Sequence, residues 1–395
     1  MTIPDQTLAI CFTNFGPYHY ARLQALGKAL ADNGGTLLAY ELAGVEEKYP
    51  WKSAIDAGAL SFRHVKLFPG RSVESLSPQE CRRAIRSRLD LDQPTAIAAV
   101  GYVRPESMEM LRWAKSGGAL RILLSESQKI DHPRVWWKEQ IKGRRVRRFQ
   151  AAVVGGPSHK AYLVELGMPA ENVHLGYNAV GNAAIESLAG QASQAAALLP
   201  EPYFLSVCRF APEKNLATLI HAYAAYVHSC AGATPWRLVL AGDGAYKAAL
   251  QAEAESAGVA SLCHWPGFLS IEQLVPWYVH AGAFVLPSRS EPWGLVVNEA
   301  ALCGTPLLIS DRCGCAATFV PPNGLPTGRT FDPDNTAQIA EELTKMAMLS
   351  PGARRILGDS ARSVARLWGP ERFAQGVLEA LDSARSARRP VTTIR

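Results

Sequence analysis

Short apolar runs separated by stretches of helical period recur along this chain, and no other feature of the sequence limits its fold as strongly. Leu8–Thr13, Thr36–Tyr40, Ala96–Gly101, Leu120–Ser125 and Ala151–Gly155 are such runs and read as strands. Tyr18–Asp32, with Leu23, Leu26 and Leu30 on one face and Asn33-Gly34-Gly35 at its end, reads as a helix, as does Pro105–Lys115. A helix between two strands carries the chain back to the end of the sheet where it started, so the strands run parallel. The alternation lapses at Asn182–Leu199, which is rich in Ala, Gly and Ser, and then begins again. Strands are expected at Tyr203–Val207, Trp236–Ala241, Ser261–Trp265, Ala283–Pro287 and Pro306–Ser310. Helices are expected at Leu216–Tyr226, Ala245–Ala257, Ile271–His280, Leu295–Cys303, Thr336–Leu349, Gly352–Leu367 and Pro370–Ser386. With 395 residues the chain exceeds the roughly 250–300 that one core supports. The expectation is α/β, with two doubly wound Rossmann-like domains facing a central cleft. Their bounds are 1–181 and 201–369, with a linker at 182–200. Ligands of such sheets sit outside the carboxyl ends of the strands.

Bulk properties narrow the class. The chain is 48% hydrophobic and 19% charged with a net charge of +6, an ordinary balance for a globular protein. No run of about 18 uncharged apolar residues suggests a membrane span. The opening MTIPDQTLAICFTNFG reads as a first strand rather than a signal peptide, because Asp5 precedes a short apolar run and no cleavage site follows. The eight cysteines are scattered, which suits reduced thiols and a cytoplasmic location.

The segment Ser290–Pro306, SEPWGLVVNEAALCGTP, concentrates candidate chemistry. Glu291 stands just beyond the carboxyl end of the run Ala283–Pro287. Gly294 lets backbone approach a ligand, and the following helix start offers free N–H groups and a positive dipole end to a phosphate. Glu299 lies about one turn into that helix, where a carboxylate suits hydroxyls better than phosphate. On these residues alone, an acid placed to complement the helix dipole is an equally good account. Earlier, LSVCRFAPEKNLATLIHAYA (Leu205–Ala224) carries Arg209 at a strand end and Lys214 five residues later. Two cations on one loop suit a diphosphate, although exposed cations are also common on surfaces. LVLAGDGAYKAAL (Leu238–Leu250) is a strand, a turn containing Gly242 and a helix, but it lacks the third glycine of a dinucleotide fingerprint.

Glu291 and Glu299, separated by seven residues within strand–SEPWG–helix, together with the Arg209–Lys214 loop, resemble the signature of retaining family-four glycosyltransferases of GT-B fold, the glycosyl transferases group 1. That resemblance implies Glu291 at the donor sugar, Gly294, Leu295 and Val296 at sugar and phosphate, and Glu299 at the ribose. It implies Arg209 and Lys214 as the groups that stabilise the departing nucleoside diphosphate. It places Gly242 beside the nucleotide, Gly267 and Phe268 of WPGFLSIEQL at the base, and Gly16 facing the phosphates. The donor-binding half is then 201–369, the acceptor half 1–181, and the last helix, 370–395, packs back on the first domain. The implied reaction moves a hexose-type sugar from a nucleoside-diphosphate donor to a hydroxyl acceptor with retention, in cell-surface polysaccharide or glycolipid assembly. The nucleotide sugar is a co-substrate; no metal and no further cofactor is expected. A non-catalytic nucleotide-sugar-binding partner, or a sugar-nucleotide epimerase or phosphorylase on the same scaffold, are the competing readings.

The first half departs from the family. Many members carry a histidine after a middle strand, whereas this strand ends RILLSES with Ser125, Glu126 and Ser127, and His132 follows only later. Acceptor-side candidates are therefore His19, Tyr102 and Glu126, with helix-terminal placement an alternative for His19. Asp90-Leu91-Asp92 and Asp332-Pro333-Asp334 match an Asp-x-Asp metal pattern but are not expected to bind one. Trp136–Phe149, WWKEQIKGRRVRRF, mixes aromatics with a dense cation cluster. It is either a surface helix with Trp136 or Trp137 in the core, or a peripheral contact with an anionic membrane surface at the inner face of the membrane. No nucleic-acid partner is expected.

Overall fold

The computed structural model describes residues 6–45, 60–131 and 133–387. The chain divides into two compact units. The first comprises Met1–Lys129, Pro133–Gly181 and Trp368–Arg395, and the second Asn182–Leu367 with Ile130–His132.

The first unit is built on seven strands: β1 Thr7–Phe12, β2 Thr36–Val45, β3 Arg63–Ser72, β4 Ala96–Val100, β5 Leu120–Ser125, β6 Ala151–Val154 and β7 Val173–Leu175. Their order is β3-β2-β1-β4-β5-β6-β7, and every pairing is parallel. Strand β1 shows why the central strands read as unbroken apolar runs. Leu8, Ile10 and Phe12 enter one core with Leu23, Leu26 and Leu30 of the helix Pro17–Ala31 and with Phe373, Val377 and Leu381 of the helix Pro370–Ser386. Ala9 and Cys11 enter the core on the other face, with Ile85, Leu89, Met110 and Leu111. Successive side chains point to opposite faces, and both faces are covered.

The second unit has six strands: β8 Tyr203–Val207, β9 Arg237–Ala241, β10 Cys263–Gly267, β11 Ala283–Leu286, β12 Leu307–Ser310 and β13 Gly328–Phe331. They run in the order β10-β9-β8-β11-β12-β13, again all parallel. The strand order reverses once in each sheet, at β1/β4 and at β8/β11. At such a point the loops from two neighbouring strands part and open a crevice at their carboxyl ends.

Asn182–Ala192, expected as linker, is a helix of the second unit. Ile185, Ala189 and Ala192 recur at helical spacing and are buried. Arg366 pairs with Glu186 at 2.6 Å, and the Asn182 amide donates to the Ala365 carbonyl at 3.1 Å. Alanine is the best helix former, so an Ala-rich stretch with a small apolar stripe is a helix as readily as a tether. Strands β3, β7 and β13 are absent from the apolar-run expectations because they lie at sheet edges or are very short. β3 is half-solvated and alternates Arg63, Lys66 and Arg71 with apolar residues, and Pro69 is tolerated there because an edge leaves an N–H unpaired.

The helix Leu295–Leu302, which carries Glu299, is held at its far end by the helix Pro351–Arg366. The Arg362 guanidinium donates to the carbonyls of Leu302 (3.0 Å) and Cys303 (3.1 Å), which a helix end leaves without intrahelical partners. The two helices meet at Gly358, where an added Cβ would lie 1.9 Å from the Gly304 carbonyl oxygen. Gly358→Ala is therefore expected to destabilise the protein by about 1–3 kcal/mol, the usual cost of forcing extra volume into a packed contact. Urea denaturation measures it; an unchanged midpoint would mean that the helices separate freely.

Candidate functional site

The candidate site of the second unit grows from the loops that leave β8 and β11, adjacent parallel strands at the switch point. The β11 loop, Pro287–Gly294, is anchored by Trp293, whose indole is buried and donates to the Asn298 side-chain oxygen at 2.8 Å. Gly294 then turns into the helix at φ 99°, a left-handed conformation that glycine adopts without penalty. The segment after β12 braces the loop through its backbone. The Gly314 amide donates to the Glu291 carbonyl (2.9 Å) and the Cys315 amide to the Trp293 carbonyl (3.2 Å). Cys313 and Cys315 are buried there, and burial pushes both thiols well above their usual range, so they remain protonated and inert.

Lys214, on the β8 loop, forms an ion pair with Glu291 on the β11 loop, and the Ser288 hydroxyl also donates to the Glu291 carboxylate at 3.4 Å. Both side chains of the pair are largely buried, at 13% and 12% exposure. Burial alone would lower the Lys214 pKa, but the adjacent carboxylate outweighs it and holds the ammonium above its ordinary value. Asn215 fixes this arrangement. It is buried, sits at φ 58°, and its amide donates to the carbonyls of Pro287 (3.1 Å) and Pro333 (2.7 Å), tying three loops together. The Arg289 amide adds a bond to the Glu213 carbonyl at 2.9 Å. Sequence reasoning passed over Asn215; the signal was an Asn directly before an apolar helical run.

Arg209 is 41% exposed at its side chain and pairs with Glu213 at 3.1 Å. Gly242 follows β9 at φ 137°, and an added Cβ would lie 1.9 Å from the Cys208 carbonyl oxygen, so only glycine lets the β9 loop lie against the Arg209 loop. Gly267 ends β10, and Phe268 beyond it is 74% exposed. Leu295 and Val296 open the helix that bears Glu299. Glu299 is only 1% exposed, and the Tyr278 hydroxyl donates to its carboxylate at 2.9 Å. A carboxylate this deep requires donors, and Tyr278, which sequence reasoning did not single out, is one of them.

In the first unit, Gly16 precedes the helix Pro17–Ala31 just beyond β1, and its amide donates to the His19 Nδ1 at 3.0 Å. The same Gly-Pro-x-His arrangement opens the helix Pro157–Glu165, where the Gly156 amide donates to the His159 Nδ1 at 3.2 Å. Capping a helix start is thus enough to place His19. Burial, with the nearby Arg22 cation, holds the His19 pKa well below its usual value, so the imidazole is neutral. Tyr102 follows β4 and is buried in the core rather than presented to solvent, and burial raises its phenol pKa. Glu126 follows β5 and accepts from the Asn178 side-chain amide. His132 lies outside the described residues.

The Asp-x-Asp pairs are engaged by cations. Asp334 pairs with Arg289 (2.6 Å) and Arg312 (2.7 Å), and Asp332 with Arg312 (3.0 Å). Asp92 pairs with Arg88 at 2.6 Å, and Asp90 with Arg86 at 3.3 Å.

Comparison with known proteins follows the same lines. Residues 192–364 match the family described as Glycosyl transferases group 1. The chain is 29% identical over 207 residues to the D-inositol 3-phosphate glycosyltransferase of Actinosynnema mirum, covering 51% of this chain and 49% of that protein. It is 34% identical over 136 residues to the glycogen synthase of Mycobacterium tuberculosis, covering 34% of this chain and 31% of that protein. The chain thus spans about half or less of the curated relatives it matches. Among solved structures, sucrose-phosphate synthase from Thermosynechococcus elongatus superposes with a TM-score of 0.72 at 19% identity, over 97% of this chain and 100% of that one. Anabaena Alr3699/HepE in complex with UDP and glucose gives 0.68 at 16% identity, over 96% and 100%. At these identities the likeness carries the fold, two Rossmann-like domains of GT-B type.

The Lys214–Glu291 pair makes a specific claim on stability. Removing one member of a buried ion pair strands the other charge, so Lys214→Met is expected to cost about 3 kcal/mol or more. The double variant Lys214→Met/Glu291→Gln should regain part of that loss. A double-mutant cycle by chemical denaturation measures the coupling, and strictly additive effects would refute it.

Proposed function

We propose that this chain, which belongs to the glycosyl transferases group 1 family by its residues 192–364, transfers a hexose-type sugar from a nucleoside-diphosphate donor to a hydroxyl acceptor. The Lys214–Glu291 pair is the observation that carries the reading, because it brings a cation suited to phosphate beside a carboxylate suited to sugar hydroxyls. An ammonium has three N–H donors, so Lys214 can hold Glu291 and a phosphate oxygen together. Arg209 and the amides at the start of the helix Leu295–Leu302 add positive potential for the diphosphate. Phe268 offers an exposed ring to a nucleobase. Glu299, oriented by Tyr278, is assigned to the ribose hydroxyls.

In the proposed reaction the bond between the anomeric carbon and the phosphate oxygen breaks, and a bond to the acceptor oxygen forms. The acceptor's proton leaves with the departing diphosphate. Negative charge develops on that leaving group, and pre-placed cations and helix dipoles stabilise it without reorganising. Departure and attack on one face of the sugar retain the anomeric configuration, as the family resemblance implies. The acceptor is a saccharide, a lipid-linked sugar or another hydroxyl compound of cell-surface polysaccharide or glycolipid assembly. The UDP complexes of Anabaena Alr3699/HepE support a uridine donor as the first to try.

Three measurements test the proposal. A UDP- or GDP-sugar should raise the melting temperature, since ligand bound only to the native state adds RT ln(1 + [L]/Kd) to stability. No shift with any nucleotide sugar would defeat the reading. Glu291→Gln should lower turnover by roughly 10²–10³, the scale of losing one preorganised polar contact, while nucleotide binding persists. Tyr278→Phe should raise KM for the donor more than it lowers kcat, because its task is to orient Glu299 in ground and transition states alike.

A further inference from the structure

We propose that the outward face of the helix Trp136–Val146, continued by Arg148, is a docking surface for an anionic lipid bilayer. The helix has a clear inner side: Gly143 and Val146 are buried, and Val146 and Phe149 join the core with Leu163 and Leu166. The tryptophans are not part of that core. Trp136 is 78% exposed and Trp137 49%, with Ile141 at 39% and Val135 at 37%. At 100° per residue, Trp137, Ile141, Arg144 and Arg148 share one side, and all four are exposed. The Lys138 ammonium lies 5.4 Å from the Trp137 ring centroid, and two indoles and a branched alkyl chain exposed on one short helix mark a contact surface rather than a random exposure.

Charge identifies the partner. Trp136–Phe149 holds six cations, Lys138, Lys142, Arg144, Arg145, Arg147 and Arg148, against the single carboxylate Glu139, in a chain whose whole net charge is +6. Glu139 is turned inward. It accepts from the Tyr162 hydroxyl (2.6 Å) and pairs with Lys142 (2.8 Å) and Arg134 (3.5 Å). Glu165, which borders the same shallow depression as Gln140 and Arg147, is paired with Lys129 at 2.8 Å. The outward helix face therefore carries no carboxylate of its own. Indole rings settle at the headgroup level, and arginine heads reach lipid phosphates while their stems lie along apolar surface. A nucleic-acid surface would use the cations but leave Ile141 and the Trp136 ring without an apolar partner. No helix among the described residues is long and apolar enough to cross a bilayer, so the contact is peripheral.

The test uses the full chain with vesicles of phosphatidylcholine alone and of phosphatidylcholine mixed with phosphatidylglycerol. The chain should sediment with the anionic vesicles only, shift its tryptophan emission to the blue, and be released by high salt. Arg144→Glu/Arg148→Glu should weaken binding by at least about tenfold, since each basic residue near the surface contributes about 1 kcal/mol. Trp136→Ser/Trp137→Ser should weaken it as well, since the indoles that would settle at the headgroup level are gone. Both variants replace exposed side chains, so their melting temperatures should stay near that of the parent, and the nucleotide-sugar shift reports separately on the donor site. Equal partitioning to both vesicle types, no partitioning, or a short DNA duplex displacing the chain from the anionic vesicles would each overturn the proposal.

Discussion

The buried ion pair between Lys214 and Glu291 is the constraint around which the second unit's site is arranged. Parallel strands give their loops no partner strand, so two neighbouring loops at a switch point would part unless something joined them. Here the join is electrostatic and deep, with a charge from each loop. Such a pair is tolerable only if its desolvation is offset by good geometry and further hydrogen bonds. The structure supplies them: Ser288 donates to the carboxylate, Asn215 fixes the backbones on both sides, and the Gly314 amide holds the Glu291 carbonyl. Breaking the pair would loosen two loops at once, and so stability and the proposed chemistry draw on the same contact.

How much of this was legible in the sequence depends on how many faces of an element are buried. The central strands were readable, because two-sided burial writes an unbroken apolar run, as in Leu8–Phe12 and Ala283–Leu286. Edge strands such as β3 were not, since one-sided burial dilutes the signal with charge. The helix Pro78–Asp92 did carry a start signal: Ser77 and Glu80 cap it reciprocally, the Ser-x-x-Glu pattern of a capping box. At the site, Lys214 and Glu291 stood out individually by residue type and strand-end position. Their pairing did not, because it depends on β8 and β11 being neighbours, and a pairing across 77 residues is a property of sheet order rather than of local sequence. Tyr278 and Asn215 escaped for the same reason, since each acts on a partner brought close only by the fold.

The first unit shows the opposite difficulty, a motif that is legible but ambiguous. Gly-Pro-x-His at the end of β1 looks like a placed histidine. Its recurrence at Gly156–His159, in the same geometry, shows that a helix start without a Ser or Asp cap uses the imidazole nitrogen instead. Glu126 differs. Its partner Asn178 lies 52 residues away, beyond β7, and the Asn178 carbonyl oxygen is buried without a partner among the described residues. Buried polar atoms left unsatisfied are uncommon, and they gather where a ligand or water completes the network. The Glu126–Asn178 pair is thus a better guide to the polar groups of this half than His19 is.

The charges themselves divide by the same test of partnership. Arg22 is buried, yet it is fully accounted for by structure: it donates to the carbonyls of Tyr18 and Tyr177 and lies 5.0 Å from the Tyr177 ring centroid, with the Phe12 and Phe373 rings also close. Arg362 is occupied by the end of the glutamate helix. These cations cost desolvation and recover it in contacts, so their positions follow from packing. Arg144 and Arg148 stand outside that logic, exposed beside Trp137 on a helix whose only carboxylate faces inward. A mild overall charge conceals this division, because most basic residues are balanced where they sit and the excess gathers in one short segment. Charge distribution, not net charge, therefore separates the cations that hold the fold from those that remain available to meet something else.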